Sequence, residues 1–428
     1  MRRALSLLTL LTIGLTAVTL RPAVAQTAGE LTVDELVSRA LADNPDLKAV
    51  KIEVEAATAR VQQAGLRPNP MLELGGQKAL GPDNNFNIGV TLPLDLNGRK
   101  EGRVAVAQRE LDTRRQQVAD RERRLRADVR MKAGEVLAAQ RSLRVIEDLL
   151  RVNRDGLAVV ANRVREGAAP ALDESLQVVE VNRLDASRQL AQSRVAIAAL
   201  QLRALIGMAP DAPLGVKGDL VPPPLPLNRT EAMQRSMTDR ADLAVVRAEA
   251  AMAAAMVRKE EADGRWDASI NVGYQRQDFG FMLSGLTASG ATRPIQDVFH
   301  YFGGGVSITL PVRDANQGNI AAAKAAVRAA ERRVEFAVLA VQQEVASAFT
   351  QYAAAQRSLQ LYERGVRDVA SRNVEVVRQS YELGRGTLLD VVAEQRRYIE
   401  IENGYTDVLK QVYDAAVEIE RAVGVADR

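Results

Sequence analysis

The sequence contains no cysteine and only one histidine and one tryptophan among its 428 residues. Without cysteine the fold has no disulfide framework, no cysteine-based metal site and no lipid-accepting cysteine at a mature N-terminus. Beyond residue 25 the sequence has no apolar run long enough for a transmembrane helix. If the mature chain contacts a membrane, it must do so through β-strands, because strands can also satisfy the backbone in lipid.

The first 25 residues have the features of a secretory signal peptide. Arg2 and Arg3 form a basic start, residues 5–20 form an apolar core, and small residues place the cleavage between Ala25 and Gln26. An uncleaved membrane anchor is the alternative, although the core is short for a spanning helix. The three arginines of this segment account for the net charge of +3. The mature chain is therefore formally neutral, and its charge gives no reason to expect nucleic-acid binding.

Two segments change abruptly from a strand pattern to a helix pattern. In residues 302–312 apolar side chains alternate with small or polar ones, and after a polar turn the sequence is alanine-rich and helical up to residue 383. The same order occurs 217 or 218 residues earlier, where Val90 matches Ile308 and Gly167 matches Gly384. The chain is therefore an internal duplication.

The duplication predicts two repeats of one mainly α-helical architecture rather than unrelated domains. The first repeat is predicted over 26–208, with a helix, a β-hairpin at 68–95, a long helix at 98–164 and a return helix at 171–206. A proline-rich connector covers 209–228. The second repeat, 229–428, is predicted to contain a helix to about Asp263, a hairpin at 267–313, a long helix at 318–383 and a return helix at 388–424.

The predicted helices are too long for a globular core. A helix over 98–164 would be about 100 Å long, so it must pack in a bundle or tube of similar helices. The return helix and the following helix together match its length, which predicts two shorter helices stacked end to end, with the connector as a belt around the middle. The last helix carries a heptad typical of coiled coils, formed by Val391, Tyr398, Tyr405, Val412 and Ile419.

The hairpins have the alternation of strands with lipid on one side and water on the other. In residues 86–94 one face is apolar and the other carries Asn87, Gly89 and Thr91. The second hairpin is predicted to have a longer loop, near 275–301. Phenylalanines at 86, 279, 281, 299 and 302 and Trp266 lie in or beside the hairpins, which favours aromatic girdles at a membrane interface; a hydrophobic surface patch is the alternative.

Four strands cannot close a barrel, so several chains must share one, with eight strands as the lower bound. The sequence shows no nucleophile–base pair, phosphate-binding loop or metal-ligand spacing. It therefore predicts no enzyme activity, no cofactor and no metal site. His300, in the long hairpin, is not expected to bind a metal.

The chain resembles the TolC-like outer-membrane efflux proteins over essentially its whole mature length. The resemblance rests on the duplication, on the strand-to-helix junctions at 91–94 and 309–312, and on the turn Tyr-Glu-Leu-Gly-Arg-Gly-Thr-Leu-Leu-Asp at 381–390. The Leu-Arg-Pro-Asn-Pro motif at 66–70 is similar to the heavy-metal, CzcC-like branch. The resemblance implies a homotrimer whose twelve strands form one barrel in outer-membrane lipid. It also implies a periplasmic helical tube that docks on an adaptor protein and an inner-membrane RND-type pump, with passive cargo transit.

The resemblance also implies a periplasmic gate and a docking surface. Asp390 and Glu394, with Asp173 and Glu174 in the first repeat, are the candidate gate residues, although Ala393 stands where relatives often have a second carboxylate. An ordinary first-turn acid, favoured by the helix dipole, is the alternative for Asp390. The candidate adaptor-docking residues at the two turns are Gly167, Ala168, Pro170, Gly384, Arg385 and Gly386. Gly167, Gly384 and Gly386 are expected to reach positive φ.

The predicted function is the outer-membrane channel of a tripartite efflux system for metal cations or small toxic compounds. One alternative is the outer-membrane duct of a type I protein-secretion system. Another, from a different class, is a periplasmic coiled-coil spacer or adhesin that conducts nothing.

Overall fold

The computed structural model describes residues 30–81, 83–223 and 228–424. The predicted signal peptide, its cleavage site at Ala25 and Gln26, and part of the predicted connector lie outside these residues. The first repeat contains β1 (Glu30–Leu31), α1 (Val33–Asp43), α2 (Pro45–Ala64), β2 (Met71–Lys78), β3 (Asn84–Pro93), α3 (Arg99–Arg165), α4 (Ala171–Leu205) and β4 (Gly215–Val216). The second contains α5 (Arg229–Asp239), α6 (Ala241–Asp263), β5 (Asp267–Leu286), β6 (Thr292–Thr309), α7 (Gln317–Leu361), a π-helical turn (Tyr362–Val366), α8 (Arg367–Glu382) and α9 (Leu388–Val423).

The longest element, α3, is one helix of 67 residues, which is about 100 Å at 1.5 Å per residue. It packs along α6 in its N-terminal part and along α4 in its C-terminal part. It also contacts α1, α2 and α9. Its counterpart in the second repeat is α7, the π-helical turn and α8, which follow one another without a break in helical backbone. Within the described residues no helix is long and apolar enough to cross a membrane.

The helices that lead up to the sheet are each divided in two. Between α1 and α2, Asn44 accepts a hydrogen bond from the Leu47 amide and donates one to the Leu205 carbonyl, both at 2.8 Å. The sequence predicts a single helix from 229 to about Asp263, but the structure divides it at Arg240, which has extended backbone. The sequence gives no proline signal there. The break is held instead by the buried Arg240 side chain, which donates hydrogen bonds to the nearby Asp242 carboxylate and to the Ala422 carbonyl of α9.

The main hydrophobic core lies where α1, α2, α3, α4 and α9 meet beside the connector. Its fully buried members include Leu36, Leu125, Val129, Leu202 and Val417. β1 pairs in parallel with β4 of the connector at this level. The described part of the connector therefore lies against the middle of the helical bundle. In α9 four of the five heptad positions are buried, and Tyr398 is partly buried.

The second set of strands forms one antiparallel sheet in the order β2-β3-β5-β6. β2 and β6 are therefore its end strands, and each has one edge without a partner among the described residues of this chain. The second hairpin corrects the prediction of a loop over 275–301: β5 and β6 continue through this segment and are joined by a short turn closed by Thr287 and Ala291. The additional residues lengthen the strands, because most of them pair across the hairpin, with an irregularity between Gly280 and Ser284.

The sheet has one apolar and one polar face. The pairing places Gly89 opposite Gly273, and Gly273 opposite Gly303, so these glycines share the polar face with Glu73 and Asn271. The opposite face carries a continuous set of exposed apolar side chains: Leu72, Leu74, Phe86, Val90, Leu92, Ile270, Val272, Phe302, Val306 and Ile308. This is the alternation of a strand surface that separates lipid from water.

Candidate functional site

The far ends of the two helical hairpins have the same backbone structure. Where α3 ends, the Ala168 amide donates to the Arg163 carbonyl at 2.7 Å and Gly167 has φ 71°. Where α8 ends, the Arg385 amide donates to the Ser380 carbonyl at 2.8 Å and Gly384 has φ 69°. Both are Schellman turns, in which a left-handed glycine lets the chain leave the helix.

One expectation about these turns is wrong. Gly386 does not have a positive φ. The left-handed position is already supplied by Gly384, and Gly386 follows in the segment that leads into α9. An added Cβ at Gly386 would make only ordinary contacts with Ser380, at 3.6 Å.

The return helices start differently in the two repeats. α9 begins with a capping box: the Asp390 amide donates to the Thr387 hydroxyl at 3.3 Å, and the Thr387 amide donates to the Asp390 carboxylate at 3.0 Å. The residue before α4, at the N-cap position, is Pro170, whose side chain cannot cap the helix. Asp173 is therefore free of a capping role and accepts a hydrogen bond from the Tyr381 hydroxyl at 3.1 Å. The two equivalent carboxylates have different partners.

The Asp390 carboxylate is exposed and held in its charged form. Hydrogen bonds from the Thr387 hydroxyl and, to a lesser degree, the Thr387 amide lower its pKa below the usual aspartate value. Glu394, one turn further on, is mostly covered and pairs with Arg397 at 3.3 Å. Asp173 and Glu174 are partly buried at the start of α4. Asp390 is thus the most accessible of the four candidate gate carboxylates, and its cap also explains it as a helix-starting residue.

A small apolar cluster joins the two hairpin tips. Leu388, Val391 and Val392 of α9 are buried and pack against Leu176 of α4 and Tyr381 of α8. The Tyr381 hydroxyl, at the edge of this cluster, makes the hydrogen bond to Asp173. The tips are therefore held together by apolar contact and one polar link.

A buried ion pair joins the same two hairpins a short distance along α4 and α9 from the tips. Glu180 of α4 is 1% exposed and accepts hydrogen bonds from Arg396 of α9 at 3.0 Å and from Arg183 at 2.5 Å. Burial acts to raise the pKa of Glu180, but the hydrogen bonds from Arg183 and Arg396 outweigh it, so the pKa is lowered. Glu180 is therefore charged in the folded chain.

Sequence reasoning missed a second buried carboxylate higher in the bundle. Glu402 of α9 is 2% exposed and accepts hydrogen bonds from Arg367 at 2.6 Å and from Arg141 at 3.3 Å. Both guanidinium carbons lie 5.1 Å from the ring centre of Tyr405, within cation–π range. Arg367 directly follows the π-helical turn, a feature that often occurs at functional positions. Glycine and arginine spacing in the sequence gave no sign of that turn.

Among the described residues no group of three or more His, Asp or Glu side chains is placed to hold a metal ion. His300 contacts the hydroxyl of Tyr274 through Nδ1 at 2.7 Å, on the apolar face of the sheet.

The fold, an internally duplicated and mainly α-helical chain with two β-hairpins, is that of the TolC-like proteins. The predicted fold class is thereby confirmed for a single copy, and the trimeric barrel stays a prediction. The chain belongs to the outer membrane efflux protein family, whose family profile matches residues 36–208 and 233–425. Membership in a family of efflux proteins agrees with the expectation that the chain is not an enzyme.

One relative is the cobalt-zinc-cadmium resistance protein CzcC of Cupriavidus metallidurans, which is 25% identical over 405 residues. The alignment covers 93% of this chain and 91% of CzcC. Among solved structures, CusC gives a TM-score of 0.74 at 18% identity over 94% of this chain and 96% of CusC. The outer membrane protein VceC of Vibrio cholerae gives 0.70 at 17% identity over 92% of this chain and 96% of VceC. At these identities the solved structures show the fold.

Proposed function

We propose that three copies of this chain form the outer-membrane exit channel of a tripartite efflux system, with the helices as a periplasmic tube. The observation that carries the proposal is the four-stranded sheet, which has one apolar face and two end strands with an unpartnered edge. Such edges are not tolerated in a bilayer, so neighbouring copies must pair them. Three copies supply twelve strands, an even number within the range of closed outer-membrane barrels.

The hairpin tips are the proposed inner end of the channel. Asp390, Glu394, Asp173 and Glu174 would bring carboxylates from three copies around the axis, where rings of acidic side chains attract cations. Asp390 supports this best, since its carboxylate is exposed and its pKa is lowered. Glu394 contributes less, because Arg397 already balances its charge.

The same tips are the proposed docking surface for a periplasmic adaptor, which would connect the channel to an RND-type pump in the inner membrane. Both Schellman turns expose backbone and side chains at the end of the bundle; these are Gly167, Ala168, Pro170, Gly384, Arg385 and, partly exposed, Gly386. The channel itself supplies no energy, and the pump would drive the cargo. Divalent metal cations are the proposed cargo, supported by the similarity to a cobalt-zinc-cadmium resistance protein.

Three measurements test this function. Light scattering of the detergent-purified mature protein should give a trimer, and planar bilayers containing it should show small, mostly closed current events. A monomer, or a trimer that never conducts, would favour the spacer. A strain that lacks the gene should become sensitive to cobalt, zinc or cadmium and regain resistance with the wild-type chain. Loss of an exported protein instead, with metal resistance unchanged, would favour the secretion duct.

A further inference from the structure

The outer end of the second hairpin has no role in the channel proposed above. β3 pairs with β5 only as far as Asn84 and Asp278, whereas β5 and β6 remain paired up to Leu286 and Thr292. A two-stranded segment, residues 279–297, therefore extends past the four-stranded part of the sheet. We call this segment the outer ribbon.

A row of aromatic side chains runs from the sheet onto the outer ribbon. The ring centres of Tyr301 and Phe299 lie 6.4 Å apart, those of Phe299 and Phe281 lie 6.5 Å apart, and those of Phe281 and Phe279 lie 5.3 Å apart. Tyr301 pairs with Gln275, which places the row on the polar face of the sheet. In a closed barrel that face lines the pore.

This position corrects part of the girdle prediction. Phe86 and Phe302 lie on the apolar face, with Tyr274 beside Phe302 at 5.0 Å, as expected of side chains at a lipid boundary. Phe279, Phe281 and Phe299 lie on the other face, because side chains alternate along a strand. Lipid therefore does not cover the aromatic row.

Nothing else in the described part of the chain covers the row either. Phe281 and Phe299 are each 37% exposed, and Phe279 and Tyr301 are 42% and 50% exposed. A contiguous group of water-exposed aromatic rings indicates a contact surface. Since the row faces the pore, its available partners are the same rows of neighbouring copies.

The outer ribbon is long enough for that contact. Twelve strands spaced about 4.8 Å apart and tilted by about 40° enclose a radius of about 12 Å. The three residues from Asp278 to Phe281, the outermost ring of the row, extend for about 10 Å at 3.3 Å per residue. The pairing is irregular between Gly280 and Ser284, and such bulges bend a strand pair. An inward lean of the ribbon, added to the pore-facing direction of the Phe281 side chain, can therefore bring this ring close to the axis.

Charge does not oppose the approach of three copies. Within the outer ribbon only Arg293 and Asp297 are charged, so each ribbon is formally neutral. Aromatic rings gain additional stabilisation from edge-to-face contacts with one another. A ring of apolar side chains across a pore also excludes water, which stops ion flow.

We propose that the outer ribbons of three copies lean together and close the external mouth of the channel through their aromatic rows. This inference rests on the proposed trimeric channel. It adds a closure at the extracellular end to the one at the hairpin tips.

The absence of native cysteine allows a direct test. The full chain carrying Phe281→Cys is produced in cells, and the intact cells are treated with a short bis-maleimide. Packed rings lie about 4.5–7 Å apart, within the reach of this reagent. Because at most two of three thiols can join, about two thirds of the chains should run as a cross-linked dimer on a denaturing gel. Val298→Cys, on the opposite face at the root of the ribbon, is the matched control and should remain monomeric on that gel.

The outcomes separate this proposal from the channel itself. If Phe281→Cys remains unlinked in a protein that is trimeric by light scattering, the mouth is open and the closure is wrong. Equal cross-linking of Phe281→Cys and Val298→Cys would show that the rows do not face the axis, which also overturns it. A monomer by light scattering contradicts the trimeric channel and the closure together. If Phe281→Cys fails to reach the membrane, Phe279→Cys repeats the test.

Discussion

Asp173 and Asp390 occupy the same place in the two repeats, yet they stabilise different structures. Asp390 completes the cap of its own helix through hydrogen bonds with Thr387. Asp173 follows Pro170 and instead accepts a hydrogen bond from the hydroxyl of Tyr381 in the other repeat. One substitution in the duplicated turn, threonine against proline, therefore decides whether the carboxylate acts within its helix or between hairpins.

The link between Tyr381 and Asp173 predicts the behaviour of the hairpin tips. Tyr381→Phe removes the hydroxyl and should weaken the tip contact by about 1 kcal/mol, the usual net contribution of a hydrogen bond. In planar bilayers the variant should open more often than wild type. Asp173→Ala should have a similar effect.

A double-mutant cycle provides the control for this link. Adding Asp173→Ala to Tyr381→Phe should change the open frequency little further, because both changes remove the same contact. Tyr352→Phe loses only a hydroxyl that accepts from Gln356 in its own helix, so it should leave the currents unchanged. Fully additive effects of the two tip changes would show that the residues act separately.

At the scale of elements, α4 and α9 are joined by a carboxylate whose charge depends on pH. The pKa of Glu180 is lowered in the folded chain, so the charged form stabilises the fold. This stabilisation is fully present above the usual glutamate pKa of 4.5 and is lost as the pH falls through the lower folded value. The contact between the two hairpins should therefore weaken in acid.

Glu180→Gln tests this dependence. At pH 7 the variant should lose about 1.5–3 kcal/mol, since the hydrogen bonds from the partly exposed Arg183 and Arg396 no longer end on a charged group at this buried position. The midpoint of thermal unfolding, followed by circular dichroism at 222 nm, should be lower than in wild type. The difference should shrink as both proteins are measured toward pH 3. Glu174→Gln is the comparison, because Glu174 lies on the same helix and forms no ion pair within the described part of the chain. A constant difference at every pH would contradict the role of the charge.

The elements show what sequence periodicity can and cannot predict. Residue spacing predicts α3 and α9 closely, because long uninterrupted periodicity has few alternatives. It does not predict the division at Arg240, where a buried arginine rather than a proline ends the helix. It does not predict the contact of Glu402 with Arg141 and Arg367 either, since that depends on how three helices are rotated against one another.

The sequence pattern also wrongly predicts a long loop in the second hairpin, for a related reason. Its glycine, serine and threonine content between Gly280 and Ala291 resembles a loop. Cross-strand contacts favour strands instead, as between Phe281 and Phe299, whose ring centres lie 6.5 Å apart across the hairpin.

For the whole molecule, the two faces of the sheet predict where a charge can be placed. Leu72 lies on the apolar face of the sheet, near the middle of the band of apolar side chains, whereas the adjacent Glu73 lies on the polar face. Leu72→Arg should cost about 2–4 kcal/mol per copy if lipid contacts this position near mid-membrane. Trimer recovered from the outer-membrane fraction should fall strongly, measured by immunoblot of unheated samples.

Glu73→Arg is the matched control, because it places the same side chain one residue away on the face that water contacts. It should leave the amount of trimer near the wild-type level. If both variants are lost equally, the apolar face is not a lipid surface, and the assignment of the two faces is wrong.

Because α3 is unbroken, its length sets the distance between the sheet and the hairpin tips. Its 67 residues fix that distance without a joint at which spare length could be absorbed. A relative adapted to a wider cell envelope could not gain reach by inserting residues into α3 alone, because α4 or α6 would then end short of it. Insertions should occur in matched positions of neighbouring helices and in steps of about seven residues, which return side chains to the same packing face. Differences in tube length within the family should therefore be quantised.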